Sequence, residues 1–418
     1  MLKKLVFITC LGAVLEFLDF TIVILFANEL TLAFLPNAGE SGLLWLFAIY
    51  SLGSLSRPIG GILFSHYGDK IGRKRLFRLS IIMMSGATLA IGLLPTYSTL
   101  GLTSMILLAI LRTLQGLSVG GELPGAIVFA AEHVPPRHRG TLTAAIIASA
   151  LLGLVLASFM GVLLQHNLST EHINSWGWRL PFIAGSLLGI MGYYLRRGIV
   201  ETPLFSEIIN ASAIAEIPLA TLFKRQPKAV FIGIGLTATA ASMVSIYILL
   251  PPYASRYLGF PAEKAFEFTT ITLLTLSILS LACGWLSDRV GRKPMLVTGG
   301  IILLVIAQPT YEAMMAGSLW FMMALTIVPA AIANGCYVAS VSELFPTQVR
   351  YTGLAVCINV GVCVFGGCVP YMMELLNQSG YSHGPLMLML VTGTITVVSS
   401  WAMVARHGCS LGHIETLG

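Results

Sequence analysis

Apolar residues recur along this chain in blocks of about twenty or more, the length an α-helix needs to cross a hydrocarbon layer of about 30 Å at about 1.5 Å rise per residue. The blocks fall near residues 5–30, 42–65, 76–96, 100–131, 141–165, 178–196, 229–257, 265–286, 294–312, 318–342, 351–376 and 384–405, and predict twelve membrane-spanning helices. The fourth is long and holds Gly120, Gly121 and Pro124, which predicts a tilted or kinked helix. The first is too long for a cleaved signal peptide and carries Glu16 and Asp19.

The longest polar stretch, Arg196 to Lys228, contains Pro203, Pro218 and Pro227. It predicts a cytoplasmic linker over 198–228, between an N-terminal six-helix bundle at 1–197 and a C-terminal one with a short tail at 229–418. Internal repeats support the division. Gly68-Asp69-Lys70-Ile71-Gly72-Arg73-Lys74 recurs 219 positions later as Ser287-Asp288-Arg289-Val290-Gly291-Arg292-Lys293, each time joining the second and third helices of its half. Glu132, Pro135 and Arg139 are echoed 211 positions later by Glu343, Pro346 and Arg350, with Gly140 and Gly353 following close behind the arginine of each copy. Two motifs duplicated at matching places predict an all-α membrane protein of two pseudo-symmetric six-helix bundles. In the hairpin motif the glycine permits positive φ, the basic residues hold the loop to an anionic leaflet, and the aspartate can cap a neighbouring helix. A basic topogenic turn would need no more than this, but the duplication favours a paired latch between the halves.

Composition agrees with a chain solvated by lipid: 56% of residues are hydrophobic and 10% charged, with a mean hydropathy of +0.86. With the amino terminus inside, nineteen of the twenty-four lysines and arginines fall on inner loops and ends, which places both termini in the cytoplasm. The net charge of +6 then follows from topology and implies no nucleic-acid partner. Six of the seven cysteines lie within predicted spans without a CxxC pattern and read as small packing residues. No metal-ligand cluster, nucleophile motif or phosphate-binding glycine loop points to an enzyme, a cofactor or a bound metal.

Ionisable groups at bilayer depth are costly, and those that persist there face a cavity or a partner. Glu16 lies about 18 Å along the first helix from Lys4, with Asp19 one turn on and on the same face. Two such carboxylates raise each other's affinity for a proton. Arg57, about 17 Å from the inner loop, is within geometric reach of them. Either the three form a permanent ion-paired tie, or protonation of Glu16 or Asp19 releases Arg57 and lets the halves rock. Arg112 and Glu122 are about 15 Å apart on the fourth helix, so each needs a partner on another helix. The C-terminal half has neutral helix centres that offer Ser242, Ser245, Tyr247, Asn334, Tyr337 and Asn359, groups suited either to a small ligand or to gluing helices together. So few buried cations suit a monocarboxylate, zwitterion or uncharged polar metabolite better than a tricarboxylate.

The hairpins Gly68–Lys74 and Asp288–Lys293 resemble the signature of the major facilitator superfamily. More narrowly, Leu15-Glu16-Phe17-Leu18-Asp19-Phe20, Arg57-Pro58-Ile59-Gly60-Gly61, Leu111-Arg112-Thr113-Leu114-Gln115-Gly116, Gly120-Gly121-Glu122, Trp178-Arg179-Leu180-Pro181-Phe182 and Glu201-Thr202-Pro203-Leu204-Phe205 resemble its metabolite:proton symporter family, which includes proline/betaine, α-ketoglutarate, citrate and shikimate carriers. Phe17-Leu18 departs from the Trp-Tyr usual there. The tail after the last span has no coiled-coil heptad, so osmotic sensing through such a tail is not expected.

The resemblance implies a proton-coupled symporter of the inner membrane, working as a monomer on a small organic solute. Glu16, Asp19, Arg57, Arg112 and Glu122 would serve proton coupling, and Gln115, Tyr247, Asn334, Tyr337 and Asn359 substrate binding. Asp69, Arg73, Glu132 and Arg139, with Asp288, Arg292, Glu343 and Arg350, would form charge networks across the cytoplasmic side. The competing readings are a proton-driven exporter, disfavoured because the fifth span lacks the glycine-proline signature of drug:proton antiporters, and a membrane sensor without transport.

Overall fold

A computed structural model describes residues 2–71, 73–196 and 218–404, and no strand occurs among them. The principal helices are α1 (Leu2–Leu25), α2 (Ala27–Phe34), α3 (Gly42–Ile71), α4 (Arg73–Leu93), α5 (Leu102–His133), α6 (Arg139–Asn167), α7 (Arg179–Arg196), α8 (Pro218–Arg225), α9 (Pro227–Leu236), α10 (Ala238–Tyr257), α11 (Ala262–Val290), α12 (Arg292–Met315), α13 (Leu319–Ser342), α14 (Thr347–Val362), α15 (Val369–Gln378) and α16 (Gly384–Ala402). Among the described residues nine spans are long and apolar enough to cross a membrane. The bent pair α1 and α2 makes a tenth, and the shorter apolar stretches Leu79–Leu93 and Arg179–Gly192 supply the other two. The result is the twelve-helix arrangement of two six-helix bundles.

The first span, expected near 5–30, is not one continuous helix. It bends by 62° between Leu25 and Ala27, although no proline or glycine stands there. Tertiary contacts give the reason. Phe34, fully buried, packs edge-on against the fully buried Trp178 at 5.6 Å between ring centres, and Asn28 Nδ2 donates to the Pro252 carbonyl at 3.3 Å. The second limb is thereby drawn over the end of the bundle towards the other half. The fourth span, by contrast, is one helix of 32 residues despite Pro124; at about 48 Å it outreaches the hydrocarbon layer. The eleventh span is interrupted by a π-turn at Cys363–Gly367, where the Cys368 amide donates to the Cys363 carbonyl. The widened turn leaves carbonyls without their usual partners, and two serines supply them: Ser51 to Gly367 and Ser245 to Gly366.

Glycine decides how closely α3 and α5 approach. A β-carbon at Gly60, Gly116 or Gly120 would collide with the backbone of the facing helix, at Leu117, Gly53 and Arg57 respectively. Without side chains at these points the two backbones touch, which is the small-residue packing that lipid-spanning helices use in place of a hydrophobic drive. The contact brings Arg57 and Arg112 to neighbouring depths. In the second hairpin Gly291 has φ of +100°, which L side chains rarely adopt; Gly72 lies outside the described residues.

The halves meet along a seam made chiefly by α6 and α11. Ser277 Oγ donates to the Ala148 carbonyl at 2.8 Å, Thr270 Oγ1 to Ser158 Oγ at 2.9 Å, and Gly161 leaves room for the Phe266 ring.

Replacing Gly116 with valine should overpack the α3–α5 contact at a cost of about 1–3 kcal/mol, lowering the thermal unfolding midpoint in detergent by at least a few degrees. Gly86→Val is the matched control, because nothing lies within 4 Å of the added β-carbon. Equal midpoints for the two variants would contradict the packing described.

Candidate functional site

The α3–α5 contact sets the buried charges of the N-terminal half. Glu16, Asp19, Arg57, Arg112 and Gln115 are all buried. Arg112 is fully enclosed, so it does not reach for either interface. Its Nη1 donates to Gln115 Oε1 at 2.8 Å and to the Phe20 carbonyl at 3.2 Å. Gln115 Nε2 passes the connection to Thr88 Oγ1 at 2.8 Å, which donates to the Met84 carbonyl. One continuous chain of hydrogen bonds therefore ties α1, α5 and α4.

No carboxylate lies within ion-pair distance of Arg112 among the described residues. Aromatic faces take that place, with the guanidinium 4.4 Å from the Phe20 ring centre and 4.9 Å from that of Tyr50. Arg57 also lies over Phe20, at 5.4 Å, and over Phe17, at 5.8 Å. Phe20 thus touches both cations. Arg57 faces the seam, within electrostatic reach of Glu16, Tyr50, Cys363 and Tyr337. It makes no ion pair within 4.0 Å among the described residues.

Glu16 and Asp19 look away from the seam. With Ser80, Ser85 and Ser118 they line a small cavity of about 30 Å³ between α1, α4, α5 and α7, all in the N-terminal half. Asp19 Oδ1 is buried and takes no hydrogen bond among the described residues. Gly189 and Gly185 keep the space open: Asp19 Oδ2 is 3.7 Å from where a Gly189 β-carbon would stand, and a β-carbon at Gly185 would strike Asp19 Oδ1. That space is enough for one or two waters beside the carboxylate and serine oxygens. Water beside two carboxylates can deliver and remove protons.

The hairpin end of the seam is closed by charge. Glu343 accepts Arg139 Nη1 at 2.9 Å and Arg292 Nη2 at 3.3 Å, so one carboxylate binds arginines of both halves. Arg292 also pairs with Asp288 at 2.8 Å. Asp288 does more than balance charge: it accepts the amides of Gly140 and Thr141 and the Thr141 hydroxyl, at 2.7–2.8 Å. Those amides belong to the first turn of α6, so a residue of one half caps a helix of the other, where the macrodipole favours an anion. Arg350 is fully buried close by in sequence to this network. The side chains of Asp69, Arg73, Glu132 and Glu122 lie outside the described residues.

Other expected site residues are divided. Tyr337 is buried near Arg57. Asn359 Nδ2 crosses the seam to the Gly120 carbonyl at 2.7 Å, while its Oδ1 is buried without a hydrogen bond among the described residues. Tyr247 directs its hydroxyl to Thr326, and Asn334 its amide to the Ala330 carbonyl of its own helix. Sequence reasoning did not single out Thr88, Phe20, Tyr50 or the three serines, because common residue types become a site only when other helices are placed beside them. At the far end, Arg256 and Gln378 both donate to the Glu40 carbonyl at 3.0 Å. The seam is therefore bridged at its middle and at both ends.

Two six-helix bundles that meet on such a seam, with charge buried beside it, define a membrane transporter and not an enzyme. The chain belongs to the Major Facilitator Superfamily, whose profile matches residues 9–369. It is 31% identical over 417 residues to the proline/betaine transporter of Salmonella typhimurium, covering 95% of this chain and 83% of that one. It is 33% identical over 412 residues to the shikimate transporter of Escherichia coli K12, covering 94% and 92%. In fold it matches the proton:xylose symporter XylE bound to 6-bromo-6-deoxy-D-glucose, with a TM-score of 0.80 at 15% identity over 100% of this chain and 98% of the other. It is a multi-pass inner-membrane protein.

Removing one partner of a buried ion pair costs about 3–5 kcal/mol, and Glu343 serves two arginines. Glu343→Gln should therefore open the hairpin end, read as a longer distance between spin labels at the exposed positions 137 and 289. An unchanged distance distribution would show that these charges do not hold the halves together.

Proposed function

We propose that the protein is a secondary active transporter that carries a small organic metabolite, an organic acid, zwitterion or amino-acid-like solute, in symport with protons by alternating access. The observation that carries this reading is the cavity beside Glu16 and Asp19. Its carboxylates lie inside one bundle, off the seam, yet Glu16 is close enough to act on Arg57, which faces the seam. A proton arriving at these carboxylates changes the charge felt by Arg57, and a cargo carboxylate at Arg57 changes the charge felt by them. Such mutual dependence is what coupling requires.

Arg112, with Gln115 and Thr88, holds α1 against α4 and α5, so that a change at Asp19 or Glu16 moves a braced unit; Glu122 belongs to the same proposed coupling group. Arg57, Tyr337 and Asn359 are the groups proposed to face cargo, with Tyr247 and Asn334 supporting the wall behind them. The relatives named for proline, betaine and shikimate support a compact solute bearing a carboxylate. The proposed orientation puts both termini and the basic hairpins in the cytoplasm, with bundles at 1–197 and 229–418, the linker at 198–228, and a monomer in the bilayer. The hairpin charges, Asp69, Arg73, Glu132 and Arg139 with Asp288, Arg292, Glu343 and Arg350, then form the cytoplasmic latch.

The test is accumulation of labelled organic acids, betaines and amino acids by proteoliposomes holding the purified protein under an inward proton gradient. One class of solute should accumulate uphill and be lost on adding a protonophore. Asp19→Asn and Glu16→Gln should each reduce that uphill uptake at least about tenfold, a loss of about 1.4 kcal/mol of coupling, while exchange of solute down its own gradient persists. Flux indifferent to both ΔpH and voltage would overturn the proposal, and solute driven outward by the same gradient would mark an exporter.

A further inference from the structure

At the end of the seam opposite the basic hairpins, His166 from the last turn of α6 meets Glu263 and Glu267 from the first two turns of α11. His166 Nε2 is 3.3 Å from Glu263 Oε1 and 3.1 Å from Glu267 Oε1. All three donor atoms lie within 4.8 Å of one another. The glutamates are four residues apart, on one helix face, and the histidine comes from the other half of the molecule. About half of each side chain is open to solvent, so the group is reachable from outside the fold.

We propose that His166, Glu263 and Glu267 form a divalent transition-metal site, suited to Zn²⁺ and related ions, that bridges the two bundles and holds this end of the transporter shut. One imidazole nitrogen and two carboxylate oxygens are a donor set that zinc accepts, with the remaining position left to water. Bonds of about 2.0–2.2 Å at tetrahedral angles set donor atoms about 3.3–3.6 Å apart. The separations from His166 need to widen by only a few tenths of an ångström to meet that. Magnesium, which demands an octahedron of oxygens and gives up its water reluctantly, fits poorly.

The consequence follows from where the donors sit. α6 and α11 belong to different bundles, so all three ligands are together only while this end is closed. An ion that binds one state shifts the population towards it by its differential affinity. Bound metal should therefore arrest alternation with this end closed, making transport sensitive to zinc. That this end faces outward rests on the orientation proposed above; the metal chemistry does not.

The experiment uses the full-length protein freed of any affinity histidines, with three readouts: ZnCl₂ binding by titration calorimetry, the distance between spin labels at the exposed positions 171 and 264, and solute uptake. Zinc should bind, shorten and narrow the label distance, and reduce uptake about tenfold, all reversed by a chelator and none reproduced by MgCl₂. His166→Ala and, separately, Glu267→Gln should weaken the calorimetric signal and the distance change while leaving zinc-free uptake within about twofold. Full zinc sensitivity in His166→Ala would place the metal elsewhere and overturn the proposal. So would closure driven by acid alone in a wild-type protein that binds no zinc. The calorimetric and distance arms need no knowledge of the cargo, so they fail independently of the transport reading.

Discussion

A guanidinium enclosed in a lipid-spanning bundle has to be compensated by protein, because no water is at hand to do it. Arg112 meets that requirement in an unusual manner, through one amide, one backbone carbonyl and two aromatic faces in place of a carboxylate. Three residues supply these contacts, Gln115 on its own helix, Phe20 on α1 with both carbonyl and ring, and Tyr50 on α3, so the cation fixes α1, α3 and α5 relative to one another. The close approach of α3 and α5 at Gly53, Gly60, Gly116 and Gly120 is what makes the arrangement geometrically available. Because the compensation is largely by dipoles and π-faces, the carboxylates of Glu16 and Asp19 are not both committed to neutralising Arg112. They remain beside a cavity where they can exchange protons.

The two halves divide the work along chemical lines. The N-terminal bundle holds its buried charge in its interior. The C-terminal bundle is tied by hydroxyls and backbone, as in the Thr239–Thr396 and Ser242–Thr392 contacts between α10 and α16. Neutral hydrogen bonds of this kind do not depend on the protonation of groups in the first bundle. Across the seam, the Asn359 amide on the Gly120 carbonyl and the Ser51 hydroxyl on the Gly367 carbonyl are single neutral bonds. Bonds worth about 1 kcal/mol each are readily exchanged when the halves move.

Much of this architecture was legible in the sequence because lipid imposes a length: a helix that must cross about 30 Å of hydrocarbon announces itself in about twenty apolar residues. The duplicated hairpin was legible for the same kind of reason, since Gly291 needs its positive φ and Asp288 needs an amide to accept. What stayed hidden depends on which helix lies opposite. The bend after Leu25 is produced by Trp178 and Pro252, more than a hundred residues away. Tyr247 and Asn334 look equally suited to cargo until Thr326 and the Ala330 carbonyl are found to hold them. His166 and its glutamates lie about a hundred positions apart and carry no spacing pattern that sequence alone would flag.

The α6–α11 pair bears a latch at each end, and the latches are unequal. Asp288 and Glu343 are almost fully buried and make charge-assisted bonds at 2.7–2.9 Å, and Asp288 also caps a helix in the opposite bundle. His166 and its partners are about half exposed, where even a fully charged pair would be worth about 1 kcal/mol or less. In the alternating access proposed above, the balance between the two states would depend on the difference between the two sets of contacts and not on either alone. With the buried contacts the stronger, the proposed alternation would favour opening at the end that carries His166, the outer end in the proposed orientation. That is the face from which a symporter must collect both its solute and its protons. In the proposed symport, protonation and cargo would have to weaken the buried contacts by only the few kcal/mol separating the two states, and a charge change at Glu16 or Asp19 would act on them through the braced first bundle.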